Sequence, residues 1–205
     1  MSAYVDTVVR PPRTLTAGEQ KRLLKVTGEH AAGFRDHLIV SLALGVALRE
    51  HELAGLDVGD VVHGDGRVRR RVTLRIFKRS TADPTPQEVF LPDDAWYKLG
   101  KFIAWKRGRG ESIDPAAPLF LSRRGKRIAL RTIRHMFRVW QRRAGFDHLF
   151  CFHQLRHSSL TNLFERTRDL RLVQRSARHK SLTTTMQYTL PSDEDVLKAM
   201  RGQPC

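Results

Sequence analysis

The stretch FRDHLIVSLALGVAL, residues 34–48, constrains the fold more than any other part of this chain. As a helix it is apolar nearly all round, and such a helix is stable only when other elements cover it, so it belongs at the centre. With 205 residues the chain has room for one domain and a real hydrophobic core. No window has the apolar length of a membrane span, and the N-terminus lacks a signal-peptide pattern.

Around that helix the pattern predicts further elements. Thr16 followed three residues later by Glu19 is a capping box, so a helix starts there and runs toward Gly28. REHELAGL reads as a short helical piece after the central helix. From Val61 to Leu91 the period changes: Arg71, Thr73, Arg75 and Phe77 alternate with Val72, Leu74 and Ile76, as in a strand with one buried face. STADPTPQ reads as a turn and EVFLP as the returning strand, with Lys78 near the hairpin tip. After Asp93, helices are predicted over DDAWYKLGKFIAWKRG, RTIRHMFRVWQRRAG and HQLRHSSLTNLFERT, and shorter ones over LRLVQRSA, TTTMQY and DEDVLKAM. The fold class is therefore mainly α with a small antiparallel β-sheet (α+β). Residues 1–14, with Pro11 and Pro12, read as an extended arm, and 15–205 as one domain.

Charge narrows the partner. Lys and Arg number 37 against 21 Asp and Glu, a formal charge of +16, and the arginine clusters recur along the chain rather than in a tail. An excess of that size suggests a polyanion, most commonly nucleic acid, over a basic surface that merely aids solubility. No amphipathic anchor points to a membrane surface. Cys151 and Cys205 form neither a disulfide framework nor a zinc spacing, which fits a reducing cytosol.

The pentad HQLRH, His153 to His157, carries the most chemical information. Residues three and four apart share a helix face, so His153, Arg156 and His157 project together. Two histidines at that spacing resemble a zinc protease helix, but Gln154 stands where that motif needs glutamate, and Arg156 would aim a cation at the metal. Imidazole beside guanidinium suits a phosphate better, because arginine presents a planar fork matching two phosphate oxygens. For the pentad alone, a surface or capping network is a plausible reading too. Arg49 as a helix cap, Lys78 as a solvated turn residue and Tyr188 as a packing residue are likewise plain explanations taken singly.

Taken in order, Arg49, Lys78, HQLRH, His179 and Tyr188 resemble the tyrosine recombinase (phage integrase) family, from about Leu15 to Thr189. The pairing of HQLRH with ARHKSLTTTMQYT is the most specific part of the resemblance. It implies that 15–205 is a catalytic domain that breaks and rejoins double-stranded DNA with no metal, ATP or other cofactor. Tyr188 would be the nucleophile, forming a 3′-phosphotyrosyl link. Arg49 and Arg156 would clamp the phosphate, His153 and His179 would handle hydrogen bonds or protons, and Lys78 would protonate the leaving oxygen. Glu52 and His157 would support the site from behind. By the same resemblance SRRGKRIALRTIRHMF supplies a basic helix toward the major groove, with Arg123, Arg124, Lys126, Arg127, Arg131 and Arg134 as candidate DNA contacts. A solvated basic face is the plain alternative for about half of them.

The implied assembly is a homotetramer on DNA and a monomer or weak oligomer without it, acting at the nucleoid. Residues 192–201 would form a C-terminal helix that docks on a neighbouring subunit; packing at home is the default reading. The sequence departs from the family at Arg178, where glycine usually precedes the histidine. Few residues precede the first helix, so the chain resembles short members without the N-terminal clamp domain, or a truncated one. Two rivals remain: relaxation by the same chemistry, as in type IB topoisomerases, and a DNA-binding regulator that has kept the scaffold without catalysis.

The chemistry is consistent with a tyrosine nucleophile. Free tyrosine titrates near pH of about 10, so it needs neighbouring cations to favour phenolate and an imidazole to take its proton. A covalent intermediate conserves the phosphodiester energy, so rejoining requires no ATP.

Overall fold

The computed structural model describes residues 13–30, 33–74, 87–179, 181, 183–186, 197, 200 and 201. Helix α1 (Ala17–Glu29) starts with the capping box read from the sequence: Thr16 Oγ1 accepts from the Glu19 amide at 3.2 Å and Glu19 Oε2 accepts from the Thr16 amide at 2.8 Å. Helix α2 (Phe34–Val46) is the apolar segment, and it does sit centrally, packed against α1, α5 (Asp93–Gly108), α6 (Leu130–Arg143) and α7 (His153–Thr167). Leu38, Ile39, Val40, Leu42 and Ala43 are essentially buried. Its buried polar side chains are all satisfied: Asp36 accepts from Trp140 Nε1 at 2.9 Å and from Arg35, and Ser41 accepts from Lys98 Nζ at 3.1 Å. That satisfaction lets polar groups sit on an interior helix without a large desolvation penalty.

Two short helices follow, α3 (Glu50–Gly55) and α4 (Val58–Val61), the latter not anticipated from the sequence. Strands β1 (Arg71–Leu74) and β2 (Gln87–Phe90) pair antiparallel, with Val72 opposite Val89 and Thr73 opposite Glu88. Val72, Leu74 and Val89 turn inward while Arg71 pairs with Glu88 outside at 3.1 Å, the alternation the sequence predicted. The predicted hairpin tip, Lys78 included, lies outside the described residues.

The basic stretch after Leu121 is a turn first and a helix second. Ser122 and Lys126 close it through a 2.7 Å backbone bond, Gly125 adopts φ 72°, and Leu121 bridges Arg127 before α6 begins at Leu130. Buried Gln141 then clamps the chain between α6 and α7, accepting from the Phe150 amide at 2.6 Å and donating to its carbonyl at 3.0 Å. Ser158 of α7 accepts from the Leu15 amide at 2.8 Å. Helix α8 (Leu170–Ala177) places Val173 and Ala177 against Leu160 and Ala47, and the short α9 (Thr183–Met186) follows. In the C-terminal segment Leu197, Met200 and Arg201 are described; Leu197 and Met200 are exposed. The rest of the predicted docking helix lies outside the described residues. No described helix is long and apolar enough to cross a membrane.

Candidate active site

Burial of α2 against α7 brings two helix ends to one arginine. Helix α2 stops at Ala47, which turns left-handed at φ 53°, and the Ala47 carbonyl accepts from Arg156 Nη1. Arg156 Nη2 donates to the carbonyl of Ala177, the last residue of α8. A guanidinium is well suited to this place, because helix C-termini carry unsatisfied carbonyls and a partial negative charge. Arg156 is 2% exposed and is held by both helix ends.

Arg156 also defines the state of His179. Its Nη2 lies 3.4 Å from His179 Nε2, and His179 Nδ1 lies 3.1 Å from Thr185 Oγ1. Guanidinium cannot accept, so Nε2 is the acceptor and the imidazole proton sits on Nδ1, donated to Thr185. Burial first, then the charges of Arg156, Arg49 and Arg178, lower the His179 pKa from 6.5 to about 4. His157 is likewise lowered to about 4, by burial and then by His153 and Arg156. His153 meets His157 edge to face with ring centroids 4.7 Å apart, and it is lowered by burial, Arg156 and Arg49 against the pull of Glu50. The site thus sets neutral imidazoles beside fixed cations.

Arg49 stands at the N-cap of α3, where its backbone enters the helix in an extended conformation. Its amide donates to Glu52 Oε2 at 2.8 Å and its Nη1 to Glu52 Oε1 at 2.8 Å. Glu52 is buried, and Arg178 Nη2 reaches the same Oε2 at 2.6 Å. Burial alone would raise the Glu52 pKa, but Arg178 and the bonds and charge of Arg49 hold it below the ordinary carboxylate value.

The structure therefore gathers Arg49 and Glu52 at the start of α3, His153, Arg156 and His157 in α7, and His179 in the turn after α8, the first pair about a hundred residues of sequence from the rest. Lys78 and Tyr188 lie outside the described residues; β1 ends at Leu74 and α9 at Met186, just before each. Sequence reading missed His51, whose pKa is lowered by burial and by Arg49 and Arg156 despite Glu52 and Glu50. It also missed Thr185, which is fully buried although its threonine-rich setting reads as solvent-facing. Nothing in the local pattern signals either; the burial of Thr185 comes with the approach of α9 to α8. Among the described residues, no group of three or more His, Cys, Asp or Glu is arranged to hold a metal ion.

The candidate DNA contacts divide. Arg123, Arg124, Lys126 and Arg131 are exposed. Arg134 donates to Glu50 through two nitrogens, Nε at 2.9 Å, which joins the outer face of α6 to the start of α3 beside Arg49. Arg127 is occupied: it donates to the carbonyls of Ala54, Gly55 and Leu56 and to the Asp57 carboxylate, closing the C-terminus of α3.

Residues 13–195 match the family model described as "Phage integrase family". The chain belongs to the phage integrase family. Tyrosine recombinase XerC of Vibrio cholerae serotype O1 is 30% identical over 179 residues, covering 87% of this integrase-family chain and 54% of that protein. Thus the chain spans about half the length of the curated relatives it matches. The crystal structure of XerA recombinase superposes with a TM-score of 0.74 at 25% identity, covering 95% of this chain and 66% of that one. XerH site-specific recombinase, bound to palindromic difH substrate in a post-cleavage complex, gives a TM-score of 0.73 at 21% identity, covering 94% and 53%. The fold is that of the tyrosine recombinases, mainly helical with one small antiparallel sheet.

Proposed function

We propose that this chain is the catalytic part of a site-specific recombinase that cleaves and rejoins duplex DNA through Tyr188, without metal or ATP. The observation that carries the reading is the clustering of Arg49 and Arg156 with His153 and His179, whose pKa values they lower. Family membership and the DNA held by the XerH neighbour support it.

In this reading Arg49 and Arg156 hold the non-bridging oxygens of the scissile phosphate. Each such donor contributes about 3–4 kcal/mol to the transition state. Tyr188 Oη attacks phosphorus as its proton passes to a site imidazole. The bond to the 5′-oxygen breaks, and Lys78 protonates that oxygen to give a free 5′-hydroxyl. Attack by a 5′-hydroxyl on the phosphotyrosyl bond reverses every transfer. The histidines start neutral because cations surround them, and an arriving phosphate anion pulls their pKa values upward. DNA lies across the exposed Arg123, Arg124, Lys126 and Arg131 and the Arg134–Glu50 pair, with Arg127 as scaffold. Four copies on DNA, coupled through residues 192–201, would complete strand exchange.

Covalent trapping tests the chemistry. Wild type and Tyr188→Phe are incubated with nicked duplexes drawn from the DNA flanking the gene, and denaturant-resistant adducts are sought. An adduct on a 3′ end with wild type alone is expected. Binding to the same DNA without any adduct would favour a regulator instead.

A further inference from the structure

Residue Arg178 occupies a backbone position that favours glycine. It closes α8 at φ 54°, with its amide donating to the Arg175 carbonyl at 3.1 Å and the His179 amide to the Gln174 carbonyl at 3.2 Å. These are the paired bonds of a helix terminator whose left-handed residue is usually glycine, since a Cβ is strained there. The side chain adds a second penalty. It is 6% exposed, and its Nε–H is buried with no hydrogen-bond partner among the described residues. Its other contact, Nη1 to the Ser176 carbonyl at 3.5 Å, is long. A strained backbone with an orphaned donor persists where a specific interaction compensates, and here that interaction is the 2.6 Å bond to Glu52.

Glu52 is thereby shared between two cations. Arg178 meets it from the buried side, while Arg49, 26% exposed at the side chain, meets it from the open side. With Arg49 alone the pair would sum to zero charge. With Arg178 added, the three groups sum to one excess positive charge, and Arg49 is the member facing outward.

We propose that Arg178 is a positioning residue that neutralises Glu52 from behind, leaving Arg49 electrostatically available to a DNA phosphate and tying the His179 turn to α3. The inference rests on the reading that Arg49 clamps the scissile phosphate. It assigns a purpose to the arginine that replaces the usual glycine.

The test is single-turnover adduct formation on nicked duplex, with duplex affinity and thermal unfolding measured alongside. Arg178→Gly is expected to slow cleavage by about tenfold to a hundredfold while changing duplex Kd by less than about threefold. Glu52→Gln in the same chain removes the uncompensated carboxylate, so the double variant should recover most of the lost rate. Arg178→Lys, which keeps the charge, should fall between. Wild-type cleavage by Arg178→Gly, or no recovery in the double variant when both unfold like wild type, would overturn the proposal. If Arg178→Gly fails to fold, the contrast of Arg178→Lys with Arg178→Met decides: equal cleavage by the two overturns it. A wild-type protein that binds duplex yet forms no adduct removes the underlying reading and this inference together.

Discussion

Two buried cations, one in α5 and one in α7, are handled differently. Lys106 in α5 is fully buried and donates to the Glu111 carboxylate at 3.0 Å, so its charge is cancelled where it lies. Arg156 in α7 donates to the carbonyls of Ala47 and Ala177 and to the neutral ring of His179. Those three acceptors are neutral, so each meets the charge as a dipole rather than as a counter-ion. A carboxylate extinguishes the charge of a structural cation, whereas the proposed role of Arg156 as a phosphate clamp calls for dipoles that solvate its charge. Arg178 extends the same logic by offsetting the carboxylate that supports Arg49.

The largest expected effect is at Arg156. Arg156→Lys cannot bridge two helix ends at once, so it should lower unfolding stability by about 2–3 kcal/mol and abolish the covalent adduct. Denaturant titration and trapping check both; retention of the adduct would show that the fork geometry is dispensable.

Acid should act next. His37, His157 and His179 are held at about 4 against an ordinary 6.5. Between those values the unfolded chain binds protons that the folded chain refuses, so stability falls as pH drops through that window and is indifferent to these groups above it. Glu52, held below its ordinary value, adds a further loss once pH falls through the carboxylate range. The melting temperature of DNA-free protein from pH 7 to 4.5 reads this directly; a flat profile to pH 4.5 would show that the fold tolerates charged imidazoles.

A smaller contrast separates the surface arginines. Arg124→Ala should reduce the salt slope of DNA binding by about one unit with stability unchanged. Arg127→Ala should leave the slope alone and cost about 1–2 kcal/mol, because carbonyls at the end of α3 lose their donor. Reversed results would exchange their roles. Smallest of all, Lys106→Met should change stability by about 1 kcal/mol or less and leave adduct formation intact, since the partly exposed Glu111 keeps Arg109 as a partner at 3.4 Å. A lost adduct in a well-folded Lys106→Met would end the distinction between the two cations.

Much of the scaffold was legible in one dimension because its signals are local. The spans of α5, α7 and α8 follow from periodicity, and the box at Thr16 and Glu19 marks the start of α1. α4 was not, being a single turn without a periodic face. The predicted helix through Gln187 and Tyr188 is described only as Thr183–Met186. The basic stretch from Ser122 shows the limit: charge marks it as a surface, but a turn at Gly125 and the hold of α3 on Arg127 divide it by role.

The sequence by itself determined that the chain builds a helical domain around residues 34–46 and carries a basic face, and the order Arg49, HQLRH, His179, Tyr188 marked its family. The tertiary structure alone decided which histidines are neutral, that Thr185 is interior, and that Arg178 turns inward to Glu52. The reason is physical. Periodicity and capping depend on neighbours three or four residues away, whereas a pKa or an ion pair depends on charge and solvent exclusion brought together from distant parts of the chain.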